Sequence, residues 1–164
     1  MTDVNAGAAQ LLAGRRILVT GGARGLGLAF ARHFCEAGAA VAIADIRAEL
    51  VEGAAASLRA SGHTAHAIVA DLSDPASIEL CAASAIQTLG GLDGLVNNAA
   101  VTDSGGKPGD DISIEMWDRV MAVNVRGTWL AIKHAGPAMI ERGGGSIICT
   151  SSVAGSVGVA GLAA

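Results

Sequence analysis

The chain has 164 residues, of which 51% are hydrophobic and 16% charged, and its formal net charge is −4. That length fits one domain, residues 1–164, with a sizeable core, and the acidic balance argues against a polyanion-binding surface, so no nucleic-acid partner is expected. Two Phe, two Trp and no Tyr stand beside 23 Gly, which suits close packing of helices on a sheet better than an aromatic-rich sandwich.

Cys35, Cys81 and Cys149 lack metal-ligand spacing and read as small buried thiols in a reducing compartment, so no metal is expected. The run from Met1 to Gly14 carries Asp3 and no basic stretch ahead of an apolar one. It does not read as a secretory signal, and a cytoplasmic location is the default expectation. The uncharged stretch from Gly143 to Ala164 is long enough to cross a bilayer, but its glycines and serines make it a strand and loop rather than a span, so no membrane partner is expected.

Short apolar runs alternate with longer stretches of helical period, the pattern of repeated βαβ units around a mostly parallel sheet covered on both faces. The predicted strands are Arg16–Thr20, Val41–Asp45, Ala67–Asp71, Gly94–Asn97 and Ser146–Ser151. After the first, Leu26, Ala29, Phe30, Phe34 and Ala37 form an apolar helical stripe stopped by Gly38. A second, alanine-rich helix spans about Arg47 to Ala60. The third takes Ser73 or Asp74 as N-cap and Pro75 in its first turn. Its stripe is Ile78, Cys81, Ala82, Ala85, Ile86 and Leu89, and it closes at Gly90-Gly91. A polar, Gly-rich segment from Asp103 to Asp111 precedes a long helix that starts after Ser113. Its predicted apolar face is Trp117, Val120, Met121, Val125, Thr128, Trp129 and Ile132, with a kink expected at Gly136-Pro137.

The strongest local signal is Thr20-Gly21-Gly22-Ala23-Arg24-Gly25-Leu26-Gly27, directly after a strand and opening a helix. Glycines there let the backbone turn tightly and approach a pyrophosphate, while the helix N-terminus offers unpaired N–H groups and partial positive charge. Asp45 ends the second strand 24 positions after Gly21, where a dinucleotide fold sets an acid against the adenosine ribose. It would accept hydrogen bonds from the ribose hydroxyls and repel a 2′-phosphate, which favours NAD; its alternative role is to cap the next helix. Arg24 points the other way, toward a phosphorylated ribose, unless it simply faces solvent.

With the glycine turn and the acid in place, the sequence resembles the short-chain dehydrogenase/reductase family along almost its whole length. The spacing TGxxxGxG is that family's variant, and Asn97-Asn98-Ala99-Ala100 is similar to its NNAG motif with alanine in the last place. The resemblance implies a Rossmann-type, doubly wound α/β fold in which Thr20, Gly21, Arg24, Gly25, Leu26, Gly27, Asp45, Asn98, Ala99 and Ala100 bind the cofactor. It also puts Asp71 and Leu72 against the adenine. Read from the residues alone, Asn97 and Asn98 could equally serve a turn. Asn124, in Val123-Asn124-Val125-Arg126-Gly127, resembles the family's active-site asparagine, which disturbs its helix and holds a relay water; the alternative is a purely structural polar network. Ser152 matches the family's catalytic serine.

The implied activity is NAD(H)-dependent interconversion of an alcohol and a carbonyl, acting on a small-molecule alcohol or ketone in a complete protein expected to be a homo-oligomer. The family's YxxxK tyrosine would fall immediately after Ala164. The 164 residues are therefore expected to hold five strands, with the C-terminal strands and helices missing, and to be inactive alone. The alternatives are a non-catalytic dinucleotide-binding module and one half of a split enzyme.

Overall fold

The computed structural model describes residues 11–102 and 111–159; most of the Gly-rich segment that begins at Asp103 lies outside them. Five parallel strands form one sheet: β1 Arg16–Thr20, β2 Ala40–Asp45, β3 Ala65–Val69, β4 Gly94–Asn97 and β5 Ser146–Cys149, in the order β3-β2-β1-β4-β5. The helices are α1 Gly25–Glu36, α2 Ala48–Ala60, α3 Pro75–Leu89, α4 Ile114–Val120 and α5 Thr128–Glu141. A π-helical segment, Met121–Gly127, joins α4 to α5, and a short 3-10 turn covers Val153–Gly155.

Successive side chains along a strand face opposite sides, and the two cores follow from that alternation. Leu18, Ala42, Ala44 and Leu95 face one side, where α3 and α5 supply Ile78, Cys81, Ala85, Leu130, Ala135 and Met139. Ile17, Val19, Val41, Ile43 and Val96 face the other side and meet Ala31 and Cys35 of α1 and Val51, Ala55 and Leu58 of α2. The fold is therefore the expected doubly wound α/β sheet.

Several elements depart from their predicted limits. β3 lies two residues earlier than expected because its register runs from Val41↔Ala65 to Asp45↔Val69; the Ala70 N–H makes one last bond to the Asp45 carbonyl, at 3.0 Å, and Asp71 and Leu72 lie beyond the strand. β5 ends at Cys149 because β4, its partner, ends at Asn97; the Thr150 N–H makes one last bond to the Asn97 carbonyl, at 2.9 Å. All four β5 residues are exposed, so the expected helical cover on both faces does not extend to this strand among the described residues.

Two helix faces also differ. In α1 the sheet-facing stripe is Gly27, Ala31 and Cys35, with Phe30 and Phe34 flanking it and Leu26 exposed. Small side chains win because they let the helix sit close to the strands. In the long helix, Val120, Val123, Gly127, Leu130, Ala131, Ala135 and Met139 are buried. The predicted face of Trp117, Met121, Val125 and Trp129 is exposed. The π segment resets the helical phase, so a single period cannot describe both halves. α5 continues past Pro137 to Glu141. By contrast, α3 matches its signals: Asp74 accepts from the Ala76 N–H, Pro75 follows, and Gly90 closes the helix at φ 73°.

Burial pushes the Cys35 thiol up to about 11, with Glu36 adding to the shift, and the Cys81 thiol up to about 12. Both are unreactive core thiols. Cys149 is exposed, which corrects its reading as a buried thiol and follows from the open position of β5. Among the described residues, no helix is long and apolar enough to cross a membrane, and no group of three or more His, Cys, Asp or Glu forms a metal site.

Candidate dinucleotide-binding site

The strand order reverses between β1 and β4, and in open α/β sheets ligands bind beyond the carboxyl ends of the strands at such a switch point. Buried Thr20 ties the two strand ends together. Its hydroxyl donates to the Val96 carbonyl at 3.4 Å and accepts from the Asn98 and Ala99 N–H groups, each at 3.1 Å. The Asn98 amide nitrogen donates in return to the carbonyls of Thr20 and Gly21, at 3.2 and 3.3 Å. The turn role weighed for Asn98 is thus real, and it is what anchors the glycine loop to β4.

The glycines of that loop are used in different ways. Gly21 has φ +64°, and a Cβ there would come within 2.8 Å of the Ala99 backbone. A Cβ on Gly27 would run into the Gly21 carbonyl and lie 2.7 Å from the Asn98 amide. Gly25, with φ +56°, has nothing within 4 Å of such a Cβ. The first two positions close the loop on β4, and the third leaves open space at the N-terminus of α1, whose unpaired N–H groups favour an anion.

A cleft of about 790 Å³ opens at this point, lined by Gly21, Arg24, Gly25, Asp45, Asp71, Leu72, Asn98, Ala99 and Ala100 among others. Nine of the predicted cofactor residues thus share one wall-to-wall space. Three do not line it: Thr20 lies buried beneath it, Gly27 packs against Gly21, and Leu26 is 63% exposed at the start of α1. Asp71 is a local organiser as well as a lining residue, accepting from the N–H and hydroxyl of Ser73 at 2.8 and 2.7 Å.

Asp45 is buried at the end of β2 and does not cap α2, whose N-cap is Arg47. Its carboxylate accepts from the Ala23 N–H at 3.3 Å, the Arg47 N–H at 3.2 Å, and the Arg47 Nε and Nη2 at 2.9 and 3.0 Å. Desolvation by burial works to raise its pKa. The hydrogen bonds from Arg47 and Ala23, with the charge of Arg47, outweigh it and hold Asp45 below its ordinary value. Sequence reasoning missed Arg47, although an arginine two residues beyond a strand-ending acid is a usable signal. It also missed Val101 and Arg119, which line the same cleft.

Asn124 sits in the π segment, so the helix is indeed disturbed there. Its Oδ1 accepts from the Val101 N–H and its Nδ2 donates to the Val101 carbonyl, both at 2.9 Å. These two bonds fix Val101, one wall of the cleft, and leave one N–H of the amide and one lone pair of Oδ1 without a protein partner among the described residues. Ser152 lies beyond β5, exposed, with its hydroxyl accepting from the Ala154 N–H at 3.2 Å as the cap of the 3-10 turn. It does not line the cleft; its nearest link is Thr150, whose hydroxyl donates to Asn98 Oδ1 at 3.5 Å.

The family model for short chain dehydrogenases matches residues 15–164. The chain is 43% identical over 155 residues to 2,5-dichloro-2,5-cyclohexadiene-1,4-diol dehydrogenase LinX of Sphingobium indicum, covering 94% of this chain and 61% of that protein. It is 45% identical over 148 residues to 2-(S)-hydroxypropyl-CoM dehydrogenase 3 of Xanthobacter autotrophicus, covering 90% and 57% respectively. A crystal structure of a short chain dehydrogenase from Burkholderia cenocepacia, in complex with NADP, superposes with a TM-score of 0.83 at 35% identity, over 92% of this chain and 61% of that one. The chain thus spans about three-fifths of the length of the relatives it matches.

Proposed function

Because the chain belongs to the short chain dehydrogenase family, we propose that the whole protein is an NAD(H)-dependent oxidoreductase that interconverts a small-molecule alcohol and its carbonyl. The observation that carries this reading is the cleft at the β1–β4 switch point, with open space at Gly25 and the Asp45 carboxylate at the end of β2. The bound nicotinamide would supply the hydride chemistry. Gly21 and Gly25, with the first N–H groups of α1, would hold the diphosphate, Asp45 the adenosine ribose, and Asp71 and Leu72 the adenine edge. The relatives named above are dehydrogenases of a diol and of a hydroxypropyl compound, which supports an alcohol as the substrate class.

A 2′-phosphate placed beside Asp45 meets a like charge, a penalty of about 1 kcal/mol or more and roughly fivefold in Kd. That supports NAD over NADP. Ser152 would orient the substrate oxygen, and Asn124 would place a relay water from its position in the π segment. The 164 residues contain no tyrosine, so the tyrosine base of the family pattern is not among them, and turnover is assigned to the whole protein. The exposed row of Trp117, Met121, Val125 and Trp129 supports self-association, because apolar surface of this extent favours a covered state.

The test is an assay of nicotinamide reduction across a panel of secondary alcohols, run on the whole protein and on the 164-residue chain. The reading expects turnover from the first and none from the second. Robust turnover by the 164-residue chain would require a different base, and binding without turnover in both would favour a non-catalytic module.

A further inference from the structure

Asp45 is assigned above to the adenosine ribose, yet its carboxylate is not free to do that work. A carboxylate offers about four lone-pair sites, and four donors already occupy them: the N–H groups of Ala23 and Arg47, and Nε and Nη2 of the Arg47 guanidinium. The two backbone donors are fixed by the glycine loop and the start of α2. The two guanidinium bonds, at 2.9 and 3.0 Å, are the ones that can be given up, because the Arg47 side chain is 36% exposed while that of Asp45 is 5% exposed. Arg47 itself lines the cleft. A ribose diol needs the same sites that the guanidinium fills.

Resting on the reading of Asp45 as the ribose partner, we propose that Arg47 is a specificity-determining residue that competes with the ribose diol for Asp45. Ribose binding requires the guanidinium to turn away, which weakens the site for NAD. A guanidinium that stays beside Asp45 neutralises the charge a 2′-phosphate would meet and can donate to that phosphate in a planar, two-pronged geometry. Arg24 and Arg119, in the same cleft, add positive charge in the same direction. Arg47 therefore acts on both cofactors in opposite senses, narrowing a preference that Asp45 alone would make wide.

The experiment is an equilibrium titration of the whole protein with NAD+ and with NADP+, for wild type, Arg47→Leu, Asp45→Asn and the double variant, each first shown to be folded by thermal unfolding. Arg47→Leu is expected to raise the ratio of the NADP+ to the NAD+ dissociation constant by about fivefold or more, the scale of one like-charge contact, with NAD+ bound no more weakly than in wild type. In the Asp45→Asn background the same substitution should raise the ratio less than it does in wild type, since no carboxylate remains to release and only the bond to the 2′-phosphate is lost. A rise smaller than that, a fall in the ratio, or weaker NAD+ binding by Arg47→Leu overturns the proposal and leaves Arg47 as a residue that merely positions Asp45. Asp45→Asn separates the two levels. If it leaves the wild-type ratio in place, the ribose reading itself fails; if it lowers the ratio while Arg47→Leu changes nothing, only the competition fails. Should Arg47→Leu not fold, Arg47→Gln keeps most of the stem, loses the charge and carries the same expectation.

Discussion

The ends of β1 and β4 and the end of β5 stand side by side in one sheet and are built in opposite ways. At β1 and β4, Thr20 is 2% exposed and Asn97 5%, and the hydroxyl and amide bonds of Thr20 and Asn98 close one strand end on the other. At β5, Ile148 is 50% exposed, the strand pairs only with β4 among the described residues, and the exposed Ser152 hydroxyl accepts a bond from the Ala154 N–H. The proposed adenosine half of the site is thus preorganised by contacts within this chain, whereas Ser152, proposed for the chemistry, sits on open ground. Preorganised donors and acceptors lose little on binding, so dinucleotide recognition is the property most directly encoded in these residues.

The contrast can be broken most severely at Gly27. Gly27→Val would drive a side chain into the Gly21 carbonyl and the Asn98 amide, and overpacking against backbone costs ~3 kcal/mol or more. Thermal unfolding should show that loss, and dinucleotide binding should disappear with it. A smaller cost is expected for Thr20→Val, which keeps the shape but leaves the Asn98 and Ala99 N–H groups without their acceptor. About 2 kcal/mol is the scale for such orphaned donors, read as a drop in denaturant midpoint with unchanged m-value.

Asn124→Leu removes both bonds to Val101, and ~1–2 kcal/mol of stability should go with them. The first strand ends are untouched, so cofactor affinity should stay nearly intact while the whole protein loses turnover; a wild-type kcat would leave Asn124 a structural clamp only. Ser152→Ala lies at the other extreme. Losing an exposed cap costs less than ~1 kcal/mol, yet removing a donor to the reacting oxygen should lower kcat of the whole protein by about 10². Equal kcat in the two proteins would remove Ser152 from the chemistry.

Much of the frame around the proposed adenosine half was legible because its signals are local. Gly25 and Asp74 sit at helix starts, Gly90 at a helix end, and Asp45 at a strand end, and each type of position favours few residues. What escaped depends on partners distant in sequence or on phase. The limit of β5 is set by where β4 runs out, at Asn97, and nothing in Thr150-Ser151-Ser152 announces that. The exposed Trp117 and Trp129 were assigned to the core because apolar residues fill both faces of that helix, and the π segment shifts which face meets the sheet. The Asp45–Arg47 ion pair escaped because Asp45 ends β2 and Arg47 caps the next helix, so no strand or helix period relates them and the turn between the two elements brings their side chains together.

The central claim is that the dinucleotide's adenosine half binds at the β1–β4 switch point. Its most direct test is amide chemical-shift mapping of the 164-residue chain on titration with ADP-ribose, which carries that half without the nicotinamide. The shifts should gather at Gly21 to Gly27, at Asp45 to Arg47, at Asp71 to Ser73 and at Asn98 to Val101, and leave β5 nearly unchanged. Saturable shifts concentrated along Ser146–Cys149 and the apolar hollow between Phe34 and Ile148, or no saturable shifts at all, would contradict it.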